Sequence, residues 1–233
     1  MALRYDWQLN NIPVSCVCGQ AFTPDHAMVC PCGGYPTIRH NEVRDFLAKQ
    51  TSEVCHNVAI EPTLLKLSGE VFTSRSTNTS DEARADVRAA GFWTRGEDAY
   101  FDVRVFHPNA PSYATKTLPA LFDHHERQKC LEYEERIINL DRGSFCPLVF
   151  ATTGSCGELC DCFLKKLSSM TSEKEQVPYS GVMAWLRCRL SFPLIGSAVM
   201  CIRGMRSSLK QPVQCHLERR LAITEGRIGA SSQ

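Results

Sequence analysis

Excess charge of either sign is missing from this chain: Lys and Arg total 26 against 25 Asp and Glu, a formal net charge of +1 over 233 residues. That balance excludes a protein that draws in nucleic acid by its overall field, so any phosphate contacts must come from local basic patches. The opening Met1-Ala2-Leu3-Arg4-Tyr5-Asp6-Trp7 lacks the apolar core of a signal peptide. No uninterrupted apolar run approaches the roughly 20 residues that span a bilayer. The expected location is therefore the nucleus or the cytoplasm, without secretion and without a membrane partner. Internal repeats and low-complexity tracts are also missing, so the chain has to be read segment by segment. With 43% hydrophobic and 22% charged residues, an intrinsically disordered chain is excluded, and the length suits one domain with a small appendage. What is plentiful is cysteine, at 13. An odd number without a signal peptide points to reduced thiols, a subset holding a metal and the rest packing as small hydrophobes.

The first forty residues read as loop and short turns, because Pro13, Pro24, Pro31 and Pro36 interrupt helices while Gly19, Gly33 and Gly34 permit tight turns. A helix is predicted over residues 41–48, with Asn41 as N-cap and Val43, Phe46 and Leu47 on one face. Strands are predicted over 58–62, 83–88 and 99–106, with the polar stretch 73–80 as a loop. In the third strand Tyr100, Asp102, Arg104 and Phe106 alternate with Phe101, Val103 and Val105, as a period of two requires. Residues 120–139 are rich in helix formers, and 146–151 read as a buried strand. Helix, three strands, helix, strand is the order of an α/β domain. The C-terminal third reads as two helices, 184–190 and 196–203, separated by Pro193, and the tail is expected to be disordered.

Cys16, Cys18, His26 and Cys30 form a C-x-C-x7-H-x3-C pattern within fifteen residues. Four such ligands can close a tetrahedral zinc site, and so short a segment has no apolar core to hold it otherwise. Gly19 suits the tight turn after the second thiol. Cys32 competes with Cys30, since either thiol of Cys30-Pro31-Cys32 can reach. Other groups of similar composition read as structure: Cys156, Cys160 and Cys162 as packed thiols, Asp123-His124-His125-Glu126 as a solvated helix face, and Cys215-His216 as partnerless.

Asp86 and Asp102 lie on neighbouring predicted strands, where hairpin geometry can bring their side chains to one face. Two carboxylates meeting there repel unless a cation lies between them, and hard oxygen ligands suit Mg²⁺ or Mn²⁺. Arg104, two residues on, faces the same side and can meet a phosphate. Glu61 and Glu42 are further acidic candidates. Arg39-His40-Asn41-Glu42 suggests the His-Asn-His nucleases, but His40 opens a helix where those families need a metal-binding hairpin.

Taken in order, Cys16-x-Cys18-Gly19, His26-Ala27, Cys30, Gly33-Gly34, Arg39-His40-Asn41-Glu42, Glu61-Pro62, Ala83-Arg84-Ala85-Asp86-Val87, Phe101-Asp102-Val103-Arg104-Val105-Phe106 and Pro111-Ser112-Tyr113 resemble the C-terminal region of retroelement polyproteins of animal genomes. The similarity continues through His125-Glu126, Lys129, Tyr133 and the stretch 143–150. In that region of site-specific non-LTR retrotransposons, a zinc-knuckle-like segment precedes a restriction-like endonuclease of the PD-(D/E)XK type. The resemblance implies a mixed central sheet flanked by helices, with a knuckle at 1–38, a nuclease core at 39–155, a helical extension at 156–210 and a tail at 211–233. It implies structural zinc on Cys16, Cys18, His26 and Cys30, and catalytic Mg²⁺ or Mn²⁺ on Asp86 and Asp102. Arg104 stands for the lysine that ends the motif, Lys129 for a migrated catalytic lysine, and Glu42 for the additional acid of the first helix.

Two departures bear on the chemistry. Ala85 replaces the motif's proline, and the guanidinium of Arg104 stays charged, so it can clamp phosphate but cannot deprotonate water. The implied partners are DNA, or RNA, and an upstream reverse transcriptase of the same polyprotein, of which this chain reads as the severed end. The competing reading is a catalytically inactive nucleic-acid-binding remnant that meets phosphate through Lys165, Lys166, Arg187, Arg189, Arg203, Arg206 and Lys210.

Overall fold

The computed structural model describes residues 13–65 and 83–204. The predicted loop at 73–80, Arg206, Lys210, Cys215-His216 and the tail lie outside the described residues. The elements in chain order are α1 (Pro24–Val29), α2 (Tyr35–Ser52), β1 (His56–Ile60), β2 (Val87–Ala90), β3 (Asp98–Phe106), α3 (Leu118–Arg136), β4 (Ser144–Ala151), α4 (Glu158–Glu175) and α5 (Tyr179–Gly204). The strands form one sheet in the order β1-β2-β3-β4. β1, β2 and β3 pair antiparallel, and β4 lies parallel to β3 after the crossover through α3. The α/β class with helices on both faces of a mixed sheet is as the sequence predicts.

The alternation within β3 divides the molecule into layers. Phe101 and Val103 face a core shared with Val43 and Leu47 of α2, Phe163, Leu164 and Leu167 of α4, and Val182, Leu186 and Leu190 of α5. On the opposite face Phe106 packs on Leu121 and Phe122 of α3, while Tyr100 packs with Ile137 and Tyr133. A strand covered on both sides needs apolar residues on both faces, so the polar Asp102 and Arg104 stand out on the α3 side. Phe92, Phe101 and Phe163 form the centre of the larger core: Phe92 stacks on Phe163 at 4.8 Å, and Phe101 meets Phe163 edge-on at 4.9 Å.

Three expectations are corrected. First, α2 begins six residues before Asn41, at Tyr35. Pro36 sits in the first turn, where a missing N–H breaks no helical hydrogen bond, and Gly34 supplies a left-handed N-cap at φ 71°. Second, the two helices expected around Pro193 are the single α5 of 26 residues. Leu186, Leu190 and Leu194 bury its first part in the main core, and Ala198 and Cys201 bury its last part against Met28. Packing on both sides of Pro193 outweighs the lost hydrogen bond. By length and composition α5 is sufficient to cross a membrane, so the apolar stretch is longer than the sequence suggests. Third, 123–126 is not a uniformly solvated face. Asp123 and His124 are exposed, but His125 and Glu126 turn inward with Leu121 and Phe122, as a 3.6-residue period dictates. There Glu126 Oε1 accepts the Leu159 N–H at 3.2 Å, in the first turn of α4.

The aromatic cluster predicts its own weak point. Phe163→Ala leaves a cavity against Phe92 and Phe101, and the folded chain is expected to lose about 3–5 kcal/mol in urea titration. A loss below about 1 kcal/mol would contradict this packing.

Candidate metal centre and active site

The N-terminal segment folds into a short hairpin followed by α1. Ser15 bridges Ala21, and the Cys16 N–H donates to the Gln20 carbonyl at 2.8 Å. Gly19 takes φ +87° in this turn, which a side chain would resist. Thr23 caps α1 by accepting the His26 N–H at 3.0 Å, and His26 and Cys30, four residues apart, share one side of that turn. The result brings ligand atoms of Cys16, Cys18, His26 and Cys30 to within 4.8 Å of one another. Cys18 Sγ lies 3.2 Å from His26 Nε2, and Cys16 Sγ lies 3.9 Å from Cys30 Sγ. Such an S₃N set can hold a metal ion such as zinc. Cys32 stands outside this group, which settles the alternative in favour of Cys30.

The thiols differ in electrostatics. The backbone contact to Gln20 leads in lowering Cys18 to about 7, whereas burial leads in pushing Cys30 up to about 12. A metal is what lets three thiols this close be ionised together.

The hairpin and α1 are docked on the core. His107, just past β3, reaches Asp25 Oδ1 with Nε2 at 2.8 Å and Thr152 Oγ1 with Nδ1 at 2.7 Å. Arg39 of α2 donates to the Met28 carbonyl at 3.2 Å. Sequence reading missed His107, because nothing near it in the chain suggests a partner 82 residues away.

The second constellation lies where β2 and β3 meet α2 and α3. Asp86 immediately precedes β2, and its backbone N–H donates to the Phe101 carbonyl at 3.0 Å, which sets it beside Asp102. Its Oδ2 accepts the Val103 N–H at 2.6 Å, while Oδ1 faces His40 Nε2 at 3.0 Å. Asp102 is only 4% exposed. Lys129, on α3, places its ammonium 2.8 Å from Asp102 Oδ2, but that oxygen has no well-aligned hydrogen-bond donor. Tyr133, one turn along α3, lies beneath the same ammonium at 5.1 Å from ring centre to Nζ. Thus Asp86, Asp102 and Lys129 are brought together.

Arg104 and Glu42 are placed differently. Arg104 faces α3 with Asp102, and its charge reaches His125, which burial first and Arg104 second hold down at about 4. Glu42 follows His40 by two residues, about 200° round the helix. Its charge is felt by Cys201 of α5, so the structure does not bring it to the aspartates. Glu61, at φ +51° after β1, pairs with Arg44 and with Arg84. His40 was legible only in part: it shares a helix face with Val43, Arg44 and Leu47, a polar residue on an otherwise inward-facing side. Among the basic residues expected to meet phosphate, Lys165 and Arg187 both pair with Asp161 at 2.8 Å.

Burial, reinforced by the charge of Asp86, pushes Asp102 up to about 6, and Lys129 opposes this. Burial pulls His40 down, yet the hydrogen bond and charge of Asp86 leave it raised overall. Burial and then the charge of Asp102 raise the Tyr133 hydroxyl, keeping it a neutral donor. This is a buried carboxylate pair with one ammonium, a donor set that a divalent cation satisfies.

No protein-family model matches the chain, and none of the curated proteins does.

Two outcomes follow. Purified protein is expected to carry one zinc per chain by elemental analysis. Cys16→Ser, Cys30→Ser and His26→Ala should lose that zinc and melt lower, whereas Cys32→Ser should keep it. For Asp102, the carboxyl titrates near 6 in the folded chain against 3.8 unfolded, so the folded state holds a proton that the unfolded state has released. In metal-free protein, stability from this group is therefore present below about pH 4 and lost as pH rises to about 6. At pH 7.5, metal-free Asp102→Asn is expected to be more stable than wild type by about 1–3 kcal/mol, the difference vanishing near pH 4. A variant less stable than wild type at pH 7.5 would contradict the burial argument.

Proposed function

We propose that this chain is a metal-dependent DNA endonuclease of the PD-(D/E)XK type, the cleavage module of a non-LTR retrotransposon-like element, hydrolysing phosphodiester bonds at a target site. The observation that carries this reading is the convergence of Asp86 and Asp102 from adjacent antiparallel strands, with Lys129 at 2.8 Å from Asp102. The mixed sheet flanked by helices supports it. Asp86 and Asp102 are the residues that hold the divalent cation, Mg²⁺ or Mn²⁺. When bound, that ion supplies Lewis-acid polarisation of the scissile phosphate and a water of lowered pKa.

The chain's own residues do the rest. Lys129 holds Asp102 ionised, and its three donors orient the attacking water and offset charge developing on the phosphate. The basic role assigned by motif order to Arg104 thereby falls to Lys129. Arg104, permanently charged on the same face of β3, clamps the phosphodiester. Tyr133 fixes the ammonium from below through its ring. The zinc hairpin contacts nucleic acid and, pinned through Asp25 and Arg39, orients the cleavage core. The proposed setting is the nucleus or the cytoplasm, with a reverse transcriptase as the partner domain of the element.

The test is nicking of supercoiled plasmid with Mg²⁺ or Mn²⁺. Asp86→Asn, Asp102→Asn and Lys129→Met are each expected to slow nicking by about 10²-fold or more while keeping their zinc. If wild-type protein binds DNA with a steep salt dependence and yields no product, the chain is the inactive binding remnant instead. Variants that nick as fast as wild type would overturn the site.

A further inference from the structure

Resting on the endonuclease reading, we infer that His40 Nε2 is a direct ligand of the cation held by Asp86 and Asp102, making this a mixed nitrogen and oxygen site that takes Mn²⁺ in preference to Mg²⁺. The donor arrangement carries the inference. Asp86 Oδ2 is occupied by the Val103 N–H at 2.6 Å, so only Oδ1 is left to turn toward a cation. His40 Nε2 faces that same oxygen at 3.0 Å. Two donors that each lie about 2.0–2.2 Å from one ion at a right angle stand about 3 Å apart, so this pair has the bite of neighbouring ligands on an octahedral ion. Asp102 Oδ2, buried and without an aligned hydrogen-bond donor, supplies a further oxygen.

The helix that carries the nitrogen is fixed. Val43 and Leu47, on the same face of α2 as His40, are packed into the main core, and Arg44 is tied to Asp45 at 2.8 Å and to Glu61. The imidazole therefore cannot leave the aspartates without moving α2. Glu42, the acid expected from this helix, points elsewhere, so the helix contributes nitrogen where a carboxylate was expected. That exchange has a chemical consequence. Mg²⁺ takes oxygen donors and water, whereas imidazole suits first-row transition ions, among which Mn²⁺ also keeps carboxylates and octahedral geometry.

The experiment is pulsed electron paramagnetic resonance on the full, zinc-loaded chain with added Mn²⁺, beside titration calorimetry with Mn²⁺ and with Mg²⁺. Wild type is expected to show coupling of the Mn²⁺ electron spin to an imidazole nitrogen, with the isotope pattern changing when histidine is labelled with ¹⁵N. His40→Gln should abolish the coupling and weaken Mn²⁺ binding by at least about tenfold, with a smaller change for Mg²⁺. His40→Glu, restoring an all-oxygen set, should shift the preference toward Mg²⁺. Mn²⁺ bound in a manner abolished by Asp102→Asn, yet without nitrogen coupling in wild type, would overturn the His40 assignment and leave the endonuclease reading standing. Absence of any divalent binding that Asp102→Asn removes would overturn both. The wild-type spectrum alone decides between these outcomes even if the His40 variants fail to fold.

Discussion

Burial of β3 on both faces is the constraint from which the rest of the molecule follows. One face supplies Phe101 and Val103 to the core of α2, α4 and α5. The other is closed by α3, which leaves Asp102 in a layer that has no water to solvate it. A carboxylate in that position needs compensation, and the described structure offers one adjacent ammonium, Lys129, against a second carboxylate, Asp86. The same layer that makes the strand central thus makes its polar residue costly, and a cost retained in a core points to use rather than to stability.

The two metal-ligating groups are joined through the fold rather than through the chain. α5 packs its first half on the nuclease core and its second half on Met28, while His107 and Arg39 grip α1 from the other side. The hairpin is therefore not a free appendage. Its four ligand residues sit on a segment held to the ends of β3 and α2, the elements that carry Asp102 and His40. Zinc loading in this arrangement steadies the same scaffold that positions the aspartates.

Much of this was legible in advance where the information is local. The C-x-C-x7-H-x3-C spacing, the alternation of β3, and the neighbouring strands that carry Asp86 and Asp102 depend on sequence separation and period alone. The reading failed where packing overrides a local rule. Pro36 looks like a breaker but fits a first turn, and Pro193 looks like a boundary but is carried through by Leu190 and Leu194 packed on either side. His125 and Glu126 looked solvated because residue type says nothing of which side of α3 meets the sheet.

Residue types and spacing by themselves determined the α/β class, the zinc ligand set apart from the choice between Cys30 and Cys32, and the pairing of two aspartates with a basic residue nearby. Tertiary structure alone decided which basic residue that is, Lys129 rather than Arg104, and which residue α2 contributes, His40 rather than Glu42. The reason is physical. Period and spacing fix which side of its own strand or helix a residue occupies, but the distance between residues 46 apart in the chain, such as His40 and Asp86, is set only when the elements pack.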